Sequence, residues 1–294
     1  MTIPNIHIRQ PDSLDGPNDP WIPKEFPMAS NFEGTVGNPI EVGEDVNTPI
    51  VVLSSGAMEF MDWYLRHAED AESGDSVWER GLMFLGQRCI DPKTGQRWIH
   101  VNTAVPQARF DDEGMIRRSA GAKDILSSDW LSGETERENL LKIFEDLSIP
   151  DHLKPTVENL GECTVVGWQH DHGLNRFAHL SPMDVDLIKI AFSGLPIAAF
   201  VTLKEVDPIL IGTFVAGNLG LQNIGGFRVL RREGAEYNPE ELNKTLYSRY
   251  KPVESQDRIL DSVRTAKKGH LRRNFWSVLQ EMTRYVVALL DRNN

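Results

Sequence analysis

Short apolar runs punctuated by Pro, Gly and Asp limit what this chain can fold into. "PIVVLS", "CTVVGWQH", "PIAAFVTL", "PILIGTFVA" and "GGFRVLRR" each read as a strand, with "CTVVGWQH" a buried one. "VWERGLMFLGQRCIDPKTGQRWIHVNTAVPQ" reads as two more, joined by a "DPKTGQ" turn. None approaches the roughly 20 apolar residues of a membrane span. Helical patterns lie between the strands. Met58, Met61, Leu65 and Ala68 recur at helical spacing over a segment from Ser55 to about Ala71. Ser181 can cap a second helix, with Pro182 at its first position and Gly194 at its end. Strands and helices mix without strict alternation, so the expectation is an α/β fold with a mixed β-sheet flanked by helices.

Residues 1–48 are expected to form an extended or partly disordered arm, with Pro at 4, 11, 17, 20, 23, 27 and 39. Trp21 and Phe26 could anchor it on its own domain or on a partner, and self-docking is the simpler reading. Residues 49–235 form the main domain, interrupted at about 110–160 by a polar, mostly helical insertion whose clearest helix is "ETERENLLKIFEDL". Residues 236–294 read as a helical extension ending in the amphipathic "NFWSVLQEMTRYVVALLDR".

The 294-residue chain carries a formal net charge of -12. That balance argues against a general nucleic-acid binder, which needs a basic face. The basic run "RTAKKGHLRR" reads as a solvated helix face. Cys89 and Cys163 are too few for a disulfide framework and sit in apolar surroundings, so both are expected as buried free thiols. With no signal-peptide pattern at the N-terminus and no membrane span, the expected compartment is a reducing cytoplasm.

The chemistry lies in "VVGWQHDHGLNRFAHLSPMDVDL", residues 165–187. His170 and His172, two apart on a strand, project from the same face. Asp184 follows in the first turn of the next helix. Two imidazoles, one carboxylate and an open position form a catalytic zinc pattern. H-x-H alone is common, and Ser181-x-x-Asp184 is also close to an ordinary capping box. Glu79, at the start of an apolar strand, is placed at a cost unless it has a partner such as Arg80 or a task on bound water.

In this order, "ERGLMFLG", "VVGWQHDH" and "SPMD" resemble the JAMM (MPN+, JAB) metalloproteases, zinc isopeptidases that remove ubiquitin and ubiquitin-like modifiers. The resemblance spans roughly residues 50–232 and implies the MPN, cytidine-deaminase-like fold. It further implies one Zn2+ per chain held by His170, His172 and Asp184, with water in the fourth position. Glu79 would take and return the proton, and Ser181 would donate a hydrogen bond to the developing oxyanion. Two features depart from the pattern. Gly173 stands where the family has Pro, and eleven residues rather than ten separate His172 from Asp184. The longer loop brings Arg176 and His179 close to the site and leaves Asp186 as the alternative carboxylate.

The resemblance thus implies a zinc-dependent isopeptidase or peptidase cleaving after the C-terminus of a ubiquitin-like modifier. Its partners would be that modifier and its conjugates, with associated activating and conjugating enzymes, and neither nucleic acid nor membrane. The alternatives are a metallohydrolase processing a sulfur-carrier protein or peptide, and an inactive scaffold of the same fold.

Overall fold

The computed structural model describes residues 21–67, 81–110, 116–118, 149–153, 163–172, 178, 180, 184–185, 188, 192, 195–203, 208–217, 220–232 and 250–253. The chain divides into two units, Met1–Glu254 and Ser255–Asn294, and every described residue belongs to the first. The expected helices of the C-terminal extension therefore lie outside the described residues, as do "ETERENLLKIFEDL" and residues 1–20.

The apolar runs become strands. β1 (Ile22–Pro23) and β2 (Phe32–Gly37) precede β3 (Ile50–Ser54), and the helix α1 (Ser55–His67) follows it. β4 (Gly81–Ile90) and β5 (Arg97–Pro106) form an antiparallel pair across a tight turn. There, Asp91 accepts the backbone N–H groups of Lys93 and Thr94. A small hairpin follows, β6 (Ala108–Phe110) with β7 (Ile116–Arg118). β8 (Thr164–Asp171), β9 (Ile197–Leu203), β10 (Ile209–Gly217), β11 (Gly220–Asn223), β12 (Gly226–Leu230) and β13 (Tyr250–Pro252) complete the set.

Among the described residues eleven strands share one mixed sheet, in the order β11-β10-β9-β8-β4-β5-β3-β12-β2, with β1 on β4 and β13 on β10. β8 lies between an antiparallel neighbour, β4, and a parallel one, β9. This is the expected α/β fold dominated by a mixed sheet. Among the described residues α1 is the one continuous α-helix.

The near-continuous apolar runs are explained by burial on both faces, as β9 shows by being buried at all seven positions. α1 covers one face. Ser54 caps it, accepting the N–H of Ala57 at 3.0 Å while its hydroxyl donates to the Asn102 carbonyl at 2.6 Å. Met58, Met61 and Leu65 lie on the buried stripe as their spacing predicts, joined by Ala57 and Tyr64, whereas Ala68 lies outside the described residues. They pack on Val51, Leu53, Ile99, Val101, Phe200 and Phe227. Each large side chain buried here contributes about 1.5–3 kcal/mol.

The opposite face is covered in two places. Near the end of β8, Trp168, Ala199, Val201 and Phe214 pack against Leu180, Ile188 and Phe192. Beside β3 and β5, Ile50, Val52, Cys89 and Trp98 pack against Phe26, Phe32 and Leu230. Residues 21–37 are thus built into the fold rather than trailing from it, with Phe26 edge-on to Trp98 at 5.6 Å and Arg97 over the Trp21 ring. Pro-rich composition hid these strands, because β1 is two residues long and β2 is an edge strand that, among the described residues, pairs only with β12. β13 was similarly masked by the polar character of the tail around it.

At the far end from the histidines, buried Arg88 donates to the carbonyls of Val165 and Pro196, tying the starts of β8 and β9 to β4. Burial lowers its pKa to about 10, still charged at neutral pH. Cys89 and Cys163 are buried free thiols as expected, and burial pushes Cys89 up to about 11. Among the described residues no helix is long and apolar enough to cross a membrane.

Candidate metal centre

The site grows out of the last turn of the sheet's pleat. Gly167 lets β8 lie close to its neighbours, since a Cβ there would come within 2.7 Å of the Ala198 carbonyl oxygen. Trp168 and His170 then point to the face away from α1, and Gln169 points to the face that α1 covers, where its Nε2 donates to Thr202 Oγ1 at 2.9 Å. In register, His170 lies between Gly81 of β4 and Val201 of β9. The ladder runs one residue past β8, because the His172 N–H donates to the Thr202 carbonyl at 2.8 Å. His172 is therefore as firmly placed as a strand residue.

Asp184 reaches the same point from a helix. Asp184, Val185 and Ile188 are helical, and the Phe192 N–H donates to the Ile188 carbonyl at 3.0 Å. Asp184, Ile188 and Phe192 stand four apart and so share a helix face. Ile188 and Phe192 are buried against β9 and β10, which turns that face, and Asp184 with it, towards the sheet.

The three side chains converge. His170 Nε2 lies 2.7 Å from His172 Nε2 and 3.7 Å from Asp184 Oδ2. One donor atom from each fits within 4.8 Å of the others. The two imidazoles meet edge to face, with centroids 4.6 Å apart at 66°. His170 is fully buried, His172 is 6% exposed and the Asp184 side chain 13%, so solvent reaches the cluster from the carboxylate side. Burial first, and then His172, holds the His170 pKa well below the ordinary histidine value. A neutral imidazole keeps a lone pair, which is the state a metal ligand requires.

The donor set suits zinc, which takes imidazole nitrogen and carboxylate oxygen at about 2.0–2.2 Å. A tetrahedral ion with such bonds separates its ligand nitrogens by about 3.3 Å. The 2.7 Å pair would spread by about 0.6 Å to reach that distance. Two nitrogens and one oxygen leave a fourth position for water.

The sequence-derived candidates divide accordingly. His170, His172 and Asp184 are brought together as expected. Glu79, Arg80, Ser181, Arg176, His179, Asp186 and Gly173 lie outside the described residues. In sequence, Glu79 stands two residues before Gly81, the register partner of His170, and Ser181 directly follows buried Leu180. Sequence reasoning missed the support beneath the pair. Trp168 stacks on His170, and its indole N–H donates to buried Gln107. A period-two reading of "WQH" puts Trp168 and His170 on one face, but no local signal points to Gln107. A groove of about 600 Å3 lies elsewhere, lined by residues including Thr35, Asn38, Glu41 and Asn223, and includes none of the three candidate ligands.

No protein-family model matches the sequence, and no curated protein matches it. The convergence of His170, His172 and Asp184 therefore carries the functional reading.

Proposed function

We propose that this chain is a zinc metalloprotease of the JAMM type, with an MPN, cytidine-deaminase-like fold, cleaving after the C-terminus of a ubiquitin-like modifier. The observation that carries the reading is the cluster of two buried imidazoles and one partly exposed carboxylate at the end of β8. The mixed sheet with α1 on one face and a helical segment delivering Asp184 on the other is compatible with it.

His170, His172 and Asp184 would hold one zinc ion. When bound, zinc lowers the pKa of its water to about 7 and polarises the scissile carbonyl. Glu79 accepts a proton from the attacking water and delivers it to the departing amine, general acid–base work worth about 10²–10⁴-fold. Ser181 donates a hydrogen bond to the oxyanion as charge develops there. Burial, and then His172, holds the His170 pKa well below the ordinary value, so its imidazole is neutral at neutral pH and has a lone pair to offer a metal. The partly exposed carboxylate side is where an extended, Gly-rich tail would approach. The substrates are precursors or conjugates of the modifier, made by activating and conjugating enzymes in the cytoplasm, a reducing setting that suits two buried free thiols.

The test is cleavage of ubiquitin-like modifiers fused through their C-termini to a reporter, alongside isopeptide conjugates of the same modifiers. Zinc-loaded wild-type protein is expected to cleave at the modifier C-terminus, and Glu79→Gln to retain zinc while losing at least about 10²-fold in rate. Full activity in Glu79→Gln would refute the assigned base. Failure of the zinc-loaded wild type on every fusion and conjugate would refute the proposal.

A further inference from the structure

A metal-bound imidazole must have its ring plane fixed, and the usual device is a hydrogen bond from its second nitrogen to a carboxylate or a carbonyl. With a metal on Nε2 of His170, which faces His172 and Asp184, the ring proton would belong on Nδ1. Among the described residues no acceptor meets that buried atom. His170 has a plate instead. The Trp168 ring lies 4.2 Å from it, inclined by only 18°. Two residues apart on one face of a strand, the rings are held in that stack by the pleat itself.

The plate is pinned in turn. Trp168 Nε1–H donates to Gln107 Oε1 at 2.9 Å, with both side chains fully buried. The Gln107 backbone N–H donates to the Gly81 carbonyl at 2.9 Å, and Gly81 is the register partner of His170. The circuit Gly81–Gln107–Trp168–His170 closes on the strand that Glu79 leads into.

We infer that Trp168, oriented by Gln107, is the positioning residue for His170, a ring stack standing where a metal-bound histidine ordinarily has a hydrogen-bonded partner. The electrostatics act in the same sense. A cation on Nε2 makes the imidazole ring more positive, and the face of an indole favours a positive group above it. The inference rests on His170 being a metal ligand.

The experiment measures zinc affinity by chelator competition, and the visible spectrum of Co2+ in place of zinc, on the full chain. Wild type is compared with Trp168→Phe, Trp168→Leu, Gln107→Met and the Gln107→Met/Trp168→Phe double variant. Trp168→Leu, which removes the plate, is expected to weaken zinc binding by about tenfold or more, as loss of an outer partner of a metal ligand does. Gln107→Met keeps the plate but not the acceptor, and is expected to weaken binding by a smaller factor and to shift the Co2+ bands. The double variant is expected to bind as Trp168→Phe does, because both changes remove the same hydrogen bond. Variants that lose thermal stability yet bind zinc with wild-type affinity and an unchanged Co2+ spectrum would overturn the inference. Gln107→Met, close in shape to the native residue, decides the matter even if Trp168→Leu does not fold. Wild-type protein that takes up neither metal contradicts the metal-centre reading itself, whereas equal binding by wild type and variants overturns only the role of Trp168.

Discussion

Two Trp-x-His pairs stand on the face of the sheet away from α1, and they do different things. In Trp98-Ile99-His100 the rings lie 5.4 Å apart at 35°, and His100 Nδ1 is 3.1 Å from the Lys24 ammonium, which donates to it. Lys24 also donates to Gln87, lies 5.5 Å from the Trp98 ring centroid, and accepts the indole N–H of Trp98 at its carbonyl. In Trp168-Gln169-His170 the stack is closer and flatter, and the imidazole faces a second imidazole and a carboxylate. Burial holds both histidines neutral, His100 at about 3 with help from Lys24 and His170 well below its ordinary value with help from His172. Burial and a depressed pKa therefore do not mark a metal site. What separates the two pairs is where the ring nitrogens point: His100 Nδ1 accepts from a local donor, whereas Nε2 of His170 and Nε2 of His172 converge with a carboxylate oxygen.

That comparison can be broken first at the tryptophan. Trp98 is fully buried and holds Phe26 of the N-terminal segment edge-on. Trp98→Ala is expected to cost about 3–5 kcal/mol in urea unfolding, with the zinc content per chain unchanged. Loss of zinc in a folded Trp98→Ala protein would mean that the two sites are not independent.

A smaller effect separates the pairs by pH. The folded protein keeps His100 neutral down to about pH 3, whereas the unfolded chain takes up that proton near the ordinary value of about 6.5. The unfolded state thus binds more protons between these limits, so stability falls as pH drops from about 6.5 towards 3. His100→Gln can still accept from Lys24 and removes this term. Its stability relative to wild type is expected to improve by about 1 kcal/mol between pH 7 and pH 5, allowing for partial solvent screening. Parallel stability curves for the two proteins across that range would contradict the assignment. The variant should keep its full complement of zinc.

The difference between the pairs was only half legible in the sequence. Apolar runs and the "DPKTGQ" turn announced β3, β4, β5, β8, β9, β10 and β12, because strands buried on both faces need uninterrupted apolar side chains. The spacing of His170 and His172 announced a shared face, and the place of Asp184 in the first turn of the next helix announced the carboxylate; the burial of Ile188 and Phe192 that turns it towards the sheet was not legible. The short strands β1 and β13 are defined by pairing with distant strands rather than by their own composition. The same holds for what surrounds each histidine. Lys24 lies 76 residues from His100 and Gln107 lies 61 from Trp168, so only the sheet register brings them together.

The most direct test of the central claim is elemental analysis by mass spectrometry of purified wild-type protein beside His172→Ala and His100→Ala. The account predicts about one zinc per chain in wild type and in His100→Ala, and none in His172→Ala. A wild-type chain that holds no zinc after zinc is supplied, or a His172→Ala chain that keeps it, would contradict the account.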